Sequence, residues 1–268
     1  MDIGSSTIQM APGFAKNPDK LLEVEPSFRR IRAKFNGETI VDSKRVLLMR
    51  EGGHVPVLYF PMDDIRMDFF TTSHHKTHCG YKGDASYWNL GVGSRVEENM
   101  MWSYQSPYAE MQIIKNYVAL YWDKMDSWWE EDEEIFGHAR DPKKRVDFVK
   151  SHRLVEVILE GKVIANSTNC VFAFETNHPV RYYFPKKDVK LGVLSESETE
   201  TVCPYKGKAT YFSATIDTKV CPDIAWSYEE VLPESTKIKD QICFFNERVD
   251  AIVLEEKKLE VPQTKWSL

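Results

Sequence analysis

A mainly β chain made of two homologous tandem domains is what the sequence predicts, on three observations. Residues 35–126 match residues 159–250 at one constant offset of 124, without a gap, and 25 of the 92 aligned positions are identical. The apolar periodicity inside each copy is mostly two, the alternation of a half-buried strand. Breakers such as Asn36-Gly37, Gly52-Gly53 and the Tyr-Phe-Pro blocks bound these runs. A duplicated module accounts for this better than a solenoid, which needs at least about three stacked units for stability.

Residues 1–26 mix Gly, Ser, Pro and Lys without a period and are expected to form a flexible arm. The first repeat domain is placed at 27–126. Its strands are read from RRIRAKF (29–35), VPVLYF (55–60) and DIRMDFF (64–70). PYAEMQIIKNY (107–117) starts on a proline with helix-like spacing and predicts the one short helix of that copy. Between the copies, residues 127–150 set an acidic run, Glu130 to Glu134, before a basic run, Lys143 to Arg145. Opposite charge blocks can pair, and Trp128, Trp129, Ile135 and Phe136 are too apolar for a solvated linker, so a structured connector is expected. The second repeat domain, 151–258, opens on LVEVILE (154–160) and carries its helix at PESTKIKDQI (233–242). A tail, 259–268, follows.

Composition bounds the function classes. Apolar residues at 42% and charged residues at 28% argue against disorder, collagen-like repeats and a coiled coil. The net charge of −6 gives no overall electrostatic reason to expect nucleic acid or an anionic membrane as partner. Five cysteines, Cys79, Cys170, Cys203, Cys221 and Cys243, are odd in number and form no CxxC pair, so no disulfide framework is expected. The first residues lack the pattern of a secretory signal and no run approaches about 20 apolar residues, which predicts a reducing, cytoplasmic setting and no membrane association.

Several long motifs recur in one order. They are G-x-x-x-x-x-S (Gly37 to Ser43, Gly161 to Ser167), Y-F-P-x-x-D (Tyr59 to Asp64, Tyr183 to Asp188), T-x-C-x-Y-K-G-x-A-x-Y (Thr77 to Tyr87, Thr201 to Tyr211) and W-S-Y (Trp102 to Tyr104, Trp226 to Tyr228). With the connector WWEEDEE and HARDPKKRVD, they make the chain resemble the two-copy members of domain-of-unknown-function family 427. The resemblance implies a compact β-rich module, similar to tent-like β folds, and brings no established reaction. Family-level labels of nucleotidyltransferase exist for such sequences, but the residues do not support one. That chemistry needs a Gly-Ser turn and then a strand with paired carboxylates to hold Mg²⁺ on a triphosphate. Gly93-Ser94 is followed by no such strand, and the adjacent Asp63 and Asp64 would face opposite sides of one.

Candidate chemistry centres on Glu51, Cys79, Lys82 and Tyr104, echoed by Glu175, Cys203, Lys206 and Tyr228. In a semi-buried cleft these groups could serve as base, nucleophile, electrostatic stabiliser and proton donor. A structural role explains them as readily: Glu51 can pair with Lys82, and Gly83 can supply a turn with positive φ. A nucleophilic cysteine needs a base or cation beside it, which His78 or Lys82 could provide for Cys79, whereas Val202 replaces that histidine before Cys203. Trp102, Trp226, Tyr59 and Tyr183 could wall a pocket that stacks a flat ligand, or simply pack a core. The neighbouring Glu97, Glu98, Glu229 and Glu230 are the wrong sign for a nucleic-acid groove. No Gly-rich loop of the dinucleotide or P-loop type occurs, and no cofactor is expected.

The leading expectation is therefore a small-molecule-binding protein with metal-free acid/base chemistry in an aromatic-walled pocket, its partner a small organic ligand. The competing class is a non-catalytic protein-interaction module. A third reading, a metal-dependent enzyme, rests on His74, His75 and His78 in SHHKTHC, although structural zinc sites usually draw their ligands in two pairs from separate turns.

Overall fold

The computed structural model describes residues 9–267. The chain divides into two compact units, Met1–Asp141 and Pro142–Leu268. Unit 1 begins with a five-residue helix, α1 (Pro12–Lys16). Its strands are β1 (Leu22–Ser27), β2 (Ile31–Phe35), β3 (Glu38–Ser43), β4 (Val46–Glu51), β5 (Val57–Pro61), β6 (Phe70–Cys79), β7 (Gly83–Val92), β8 (Arg95–Ser103), β9 (Tyr117–Leu120), β10 (Ser127–Glu130) and β11 (Glu133–Ile135). Seven of them form one antiparallel sheet in the order β1-β4-β5-β9-β8-β7-β6, and four form a second, β11-β10-β2-β3.

Unit 2 repeats the plan. Its strands are β12 (Val146–Ser151), β13 (Val155–Leu159), β14 (Lys162–Ser167), β15 (Cys170–Glu175), β16 (Arg181–Phe184), β17 (Leu194–Cys203), β18 (Gly207–Ile216), β19 (Lys219–Val231), β20 (Ile242–Phe244), β21 (Ala251–Leu254) and β22 (Lys257–Lys258). The sheet orders β12-β15-β16-β20-β19-β18-β17 and β14-β13-β21-β22 are those of unit 1 under the offset of 124. The protein is thus mainly β with two tandem homologous domains.

Alternation explains the layering. In β2 and β13 every second residue is buried, because one face of the small sheet packs and the other meets solvent. β4 is buried at five consecutive positions, because both faces of the large sheet are covered. In unit 1 one core, with Phe35, Phe60, Leu90, Met101 and Trp128, lies between the sheets. A second cluster, with Met49, Tyr59, Tyr87, Tyr104 and Ile114, occupies the other face of the large sheet. Unit 2 has the same pair of clusters. Two repeated motif positions are spent on the join between layers: Ser43 Oγ donates to Asp64 and Ser167 Oγ to Asp188, each at 2.6 Å.

Three expectations about organisation change. The short helix expected in each copy stands where the proline-led segments place it, but as a 3₁₀ helix, at Ala109–Ile114 and Pro233–Ile238; five further one-turn 3₁₀ segments accompany them. The arm 1–26 is structured wherever it is described: β1 pairs along its length with β4, and Gly13 N donates to the Gly80 carbonyl at 2.8 Å. Residues 1–8 lie outside the described part. The segment 127–150 is not a separate connector either. Its first strands, β10 and β11, complete the small sheet of unit 1, and its last, β12, is the edge of the large sheet of unit 2. The charge blocks fall there because edge strands, here β11 and β12, are where charged residues are tolerated.

Candidate functional site

The Tyr-Lys-Gly turns close the β6–β7 and β17–β18 hairpins. Gly83 and Gly207 have φ of +106° and +120°, which glycine reaches without the Cβ clash of other residues. A Cβ on Gly207 would stand 2.0 Å from the Glu230 carbonyl oxygen. The lysine before each glycine turns inward and is 8% exposed. Lys82 ends on Glu51, at the end of β4, and Lys206 ends on Glu175, at the end of β15.

Each carboxylate has further partners that the motif reading missed. Lys20 Nζ lies 3.3 Å from Glu51, and Lys144 Nζ lies 2.6 Å from Glu175. His54 and His178 stand 3.9 and 3.7 Å from the same two carboxylates. Both pairs obey the offset of 124, so carrying the internal alignment back to Pro18-Asp19-Lys20 and Pro142-Lys143-Lys144 was the available signal. Burial opposes ionisation of Glu51, but hydrogen bonds and charge from Lys82 and Lys20 outweigh it and hold the carboxyl below its ordinary range. At Glu175 burial is again opposed, chiefly by the charge of Lys206 and the hydrogen bonds from Lys144 and Lys206, and its pKa falls to about 2. Both are carboxylates near neutrality, each inside a cationic cage.

Tyr59 and Tyr104 in unit 1, and Tyr183 and Tyr228 in unit 2, are buried in the cluster on the outer face of the large sheet. Burial pushes all four phenols far above their ordinary value, so they stay protonated. Cys79 and Cys203 sit half-buried at the edge of these clusters. Trp102 meets Tyr59 edge to face at 6.4 Å, and Trp226 meets Tyr183 at 6.3 Å. The expected constellation is therefore brought to one face of each sheet.

The two faces end differently. Trp102 stacks at a tilt on Tyr121, 4.7 Å between centroids, and Trp226 on Phe245 at 4.5 Å. In unit 1 Trp102 is half-buried and Tyr121 is 38% exposed. In unit 2 Trp226 and Phe245 are 7% and 6% exposed, because Arg181 and Trp266, which have no unit 1 counterpart, pack against that cluster. The Arg181 guanidinium lies 5.6 Å from Trp226, 5.7 Å from Phe245 and 5.5 Å from Trp266 of the C-terminal tail. It makes a two-pronged ion pair with Glu247, 2.6 and 2.7 Å, whose side chain is fully covered. Thr264 Oγ1 donates to the same carboxylate at 2.7 Å, and Arg248 Nε donates to the Trp266 carbonyl at 2.9 Å. At the offset positions unit 1 has Val57 for Arg181, Asp123 for Glu247 and Tyr121 for Phe245. None of these was singled out from sequence, although the Val57 to Arg181 difference was visible in the repeat.

A cleft of about 550 Å³ opens elsewhere in unit 1, lined by Arg45, Asp63, Ser103, Gln105, Lys115 and neighbours. Ser103 alternates with Trp102 and Tyr104 along the chain and so serves the opposite face. The expected aromatic wall does not line that cleft. The histidine cluster is also dispersed. On β6 the His75 ring rests on Tyr87 at 4.6 Å, His78 Nδ1 is 2.6 Å from Asp84 on β7, and all three histidines are exposed. Among the described residues no three His, Cys, Asp or Glu side chains are arranged to hold a metal ion, so the reading from His74, His75 and His78 loses its geometric basis. All five cysteines are free. Among the described residues no helix is long and apolar enough to cross a membrane.

Compared with known proteins, the chain matches the family described as Domain of unknown function (DUF427) twice, at residues 23–131 and 147–255. No curated protein matches it. The two matched stretches begin in β1 and β12 and end just before β11 and β22, so each covers one pair of sheets apart from the short last edge strand.

Proposed function

The chain belongs to the DUF427 family, which carries no assigned activity, and on the geometry of its site we propose that unit 1 binds a small organic ligand on the open aromatic corner of its large sheet. Trp102 and Tyr121 form the walls and Tyr59 backs them. One observation carries the reading: the same aromatic corner exists twice, and it is sealed from within in unit 2 but left accessible in unit 1. Exposed aromatic surface backed by a rigid sheet is what a flat or cationic ligand needs.

The catalytic form of this reading gives Glu51 as base, Lys82 as electrostatic stabiliser, Tyr104 as proton donor and Cys79 as nucleophile. Binding is the better supported part. A carboxylate held ionised by two lysines is a weak base, and a phenol kept protonated by burial can donate a proton only to a group that reaches it. Glu51, Lys82 and Tyr104 accordingly act as positioning residues that fix the sheet behind the aromatic wall. Unit 2, with Glu175, Lys206, Tyr228 and Cys203, keeps the scaffold and closes the site.

Crystals of the full chain soaked with a metabolite library test the proposal. A ligand seated against Trp102 and Tyr121, and lost in Trp102→Ala at unchanged Tm, is the expected result. Ligands found only elsewhere, or binding that survives the substitution, would overturn it.

A further inference from the structure

Unit 2 shows what its aromatic corner accepts: an internal guanidinium. Arg181 lies beside Trp226, Phe245 and Trp266, and Glu247 neutralises it. A cation held near ring faces and paired with a buried carboxylate is a complete recognition site for that chemistry. Unit 1 keeps the ring pair in nearly the same geometry, as Trp102 and Tyr121. It keeps a carboxylate at the matching position, Asp123, whose charge bears on the Tyr121 hydroxyl. What it lacks is the cation, because Val57 stands where unit 2 has Arg181. Among the described residues Asp123 pairs with no cation, and it is exposed.

We infer that the corner formed by Trp102, Tyr121 and Asp123 binds a small organic cation of the alkylguanidinium or alkylammonium class, whose head group takes the place that Arg181 fills in unit 2. The inference rests on the binding function proposed above and supplies its ligand chemistry. Lys124 Nζ already lies 5.4 Å from the Tyr121 ring, which at first opposes a second cation there. Unit 2 answers the objection. Arg248, at the position of Lys124, lies 4.3 Å from Phe245 while Arg181 also approaches that ring at 5.7 Å. Two cations therefore share one ring when a carboxylate accompanies them. Lys124 is further occupied by the Glu98 carbonyl, at 2.8 Å. Replacing arginine by valine removes a guanidinium and part of its alkyl stem, and a ligand with the same head supplies the group that Val57 lacks.

Agmatine and choline, with 3,3-dimethylbutanol as the neutral isostere of choline, are the probes. They are titrated into the full chain labelled with 5-fluorotryptophan, and the Trp102 resonance is assigned from Trp102→Phe. A saturable shift at Trp102, at least about tenfold tighter for the cations than for the alcohol and without a shift at Trp226, is the expected result. Asp123→Asn should weaken the cations several-fold and leave the alcohol unchanged. Val57→Arg should abolish the response by installing the internal cation; if that variant fails to fold, Asp123→Asn alone decides. Equal binding of the alcohol would overturn the cation assignment while leaving the ligand corner standing. No shift at Trp102 with any probe would also overturn it, and the library soak then judges the corner by itself.

Discussion

The corner of Trp102 and Tyr121 and the corner of Trp226 and Phe245 are the same piece of architecture with opposite exposure. Both are built at the junction of β5, β8 and the turn after β9, or of β16, β19 and the turn after β20, and both ring pairs have the same spacing. One difference in a strand, Val57 against Arg181, and one addition in the tail, Trp266, separate an accessible surface from a closed interior. A duplicated fold can thus leave a surface open in one copy and close it in the other, without a change in any strand order. The cationic cage around Glu51 and around Glu175 behaves in the opposite way: it is kept in both units because it ties the β4 or β15 end to the hairpin whatever the corner does.

The comparison is broken most directly at Arg181. Removing it as Arg181→Leu leaves Glu247 charged and covered, a change that costs about 3–5 kcal/mol in comparable buried pairs. Val57→Leu in unit 1 should stay within about 0.5 kcal/mol, as substitutions at partly exposed sites usually do. Denaturant unfolding measures both, and Arg181→Leu with Glu247→Leu should recover most of the loss. Equal costs at positions 57 and 181 would mean that unit 2 is not held by its internal cation.

Trp266→Ala comes next. The ring is half-buried, so a loss of roughly 2 kcal/mol is expected, below the about 3–5 of a fully buried tryptophan. Trp226 should then emit at longer wavelength as water reaches it, which Tyr121 and Trp102 already allow in unit 1. An unchanged emission spectrum would show that the tail is not the cover.

Smaller again is the contrast between Lys206→Met and Lys82→Met. Each leaves its carboxylate one lysine, Lys144 or Lys20, so about 1–2 kcal/mol is expected rather than the full cost of an unpaired buried charge. Glu175 has a side chain 8% exposed against 17% for Glu51, so the loss should be greater in unit 2. The pH dependence has a definite sign. A carboxyl whose folded pKa lies below its unfolded value of about 4.3 stabilises the protein above that pH. This stability is lost as pH falls through the folded value, about 2 for Glu175. Lys206→Met raises that folded value and should move acid unfolding to higher pH. An acid limb that does not move would remove Lys206 from the account.

The repeat made most of the fold legible, because an ungapped offset forces the same strands and the same turns on both copies. Gly83 and Gly207, Ser43 and Ser167, and the Glu51–Lys82 pair could all be read from it. The ends were not legible: β1 and β12 share few identities, since edge strands need only a pattern of alternation, and so the arm and connector were drawn where strands lie. At the corner the shared rings Trp102 and Trp226 were legible, but the difference in exposure between the copies was not. A search for shared residues selects what the fold needs, such as Lys82 and Tyr104, whereas the corner differs between the copies at Val57 and Arg181. Its decisive ring, Trp266, belongs to a tail with no counterpart in the repeat.

The smallest effect expected is one of rate, and it sharpens the comparison by reporting on unit 2 alone. Cys243 lies on β20 within the cluster under Trp226, where burial pushes its thiol up to about 12, and unit 1 has Ala119 at that position. Since the thiolate is the reactive form, Cys243 should resist a disulfide reagent at neutral pH until unit 2 opens. Cys79, half-buried on the hairpin of unit 1, should react sooner. Arg181→Leu should therefore accelerate labelling of Cys243, read by mass spectrometry of peptides, and leave the rate at Cys79 unchanged. Equal acceleration at both sites would mean that the units open together and that the internal cation stabilises the whole chain, whereas rapid labelling of Cys243 in the unaltered protein would show that the corner of unit 2 is not closed.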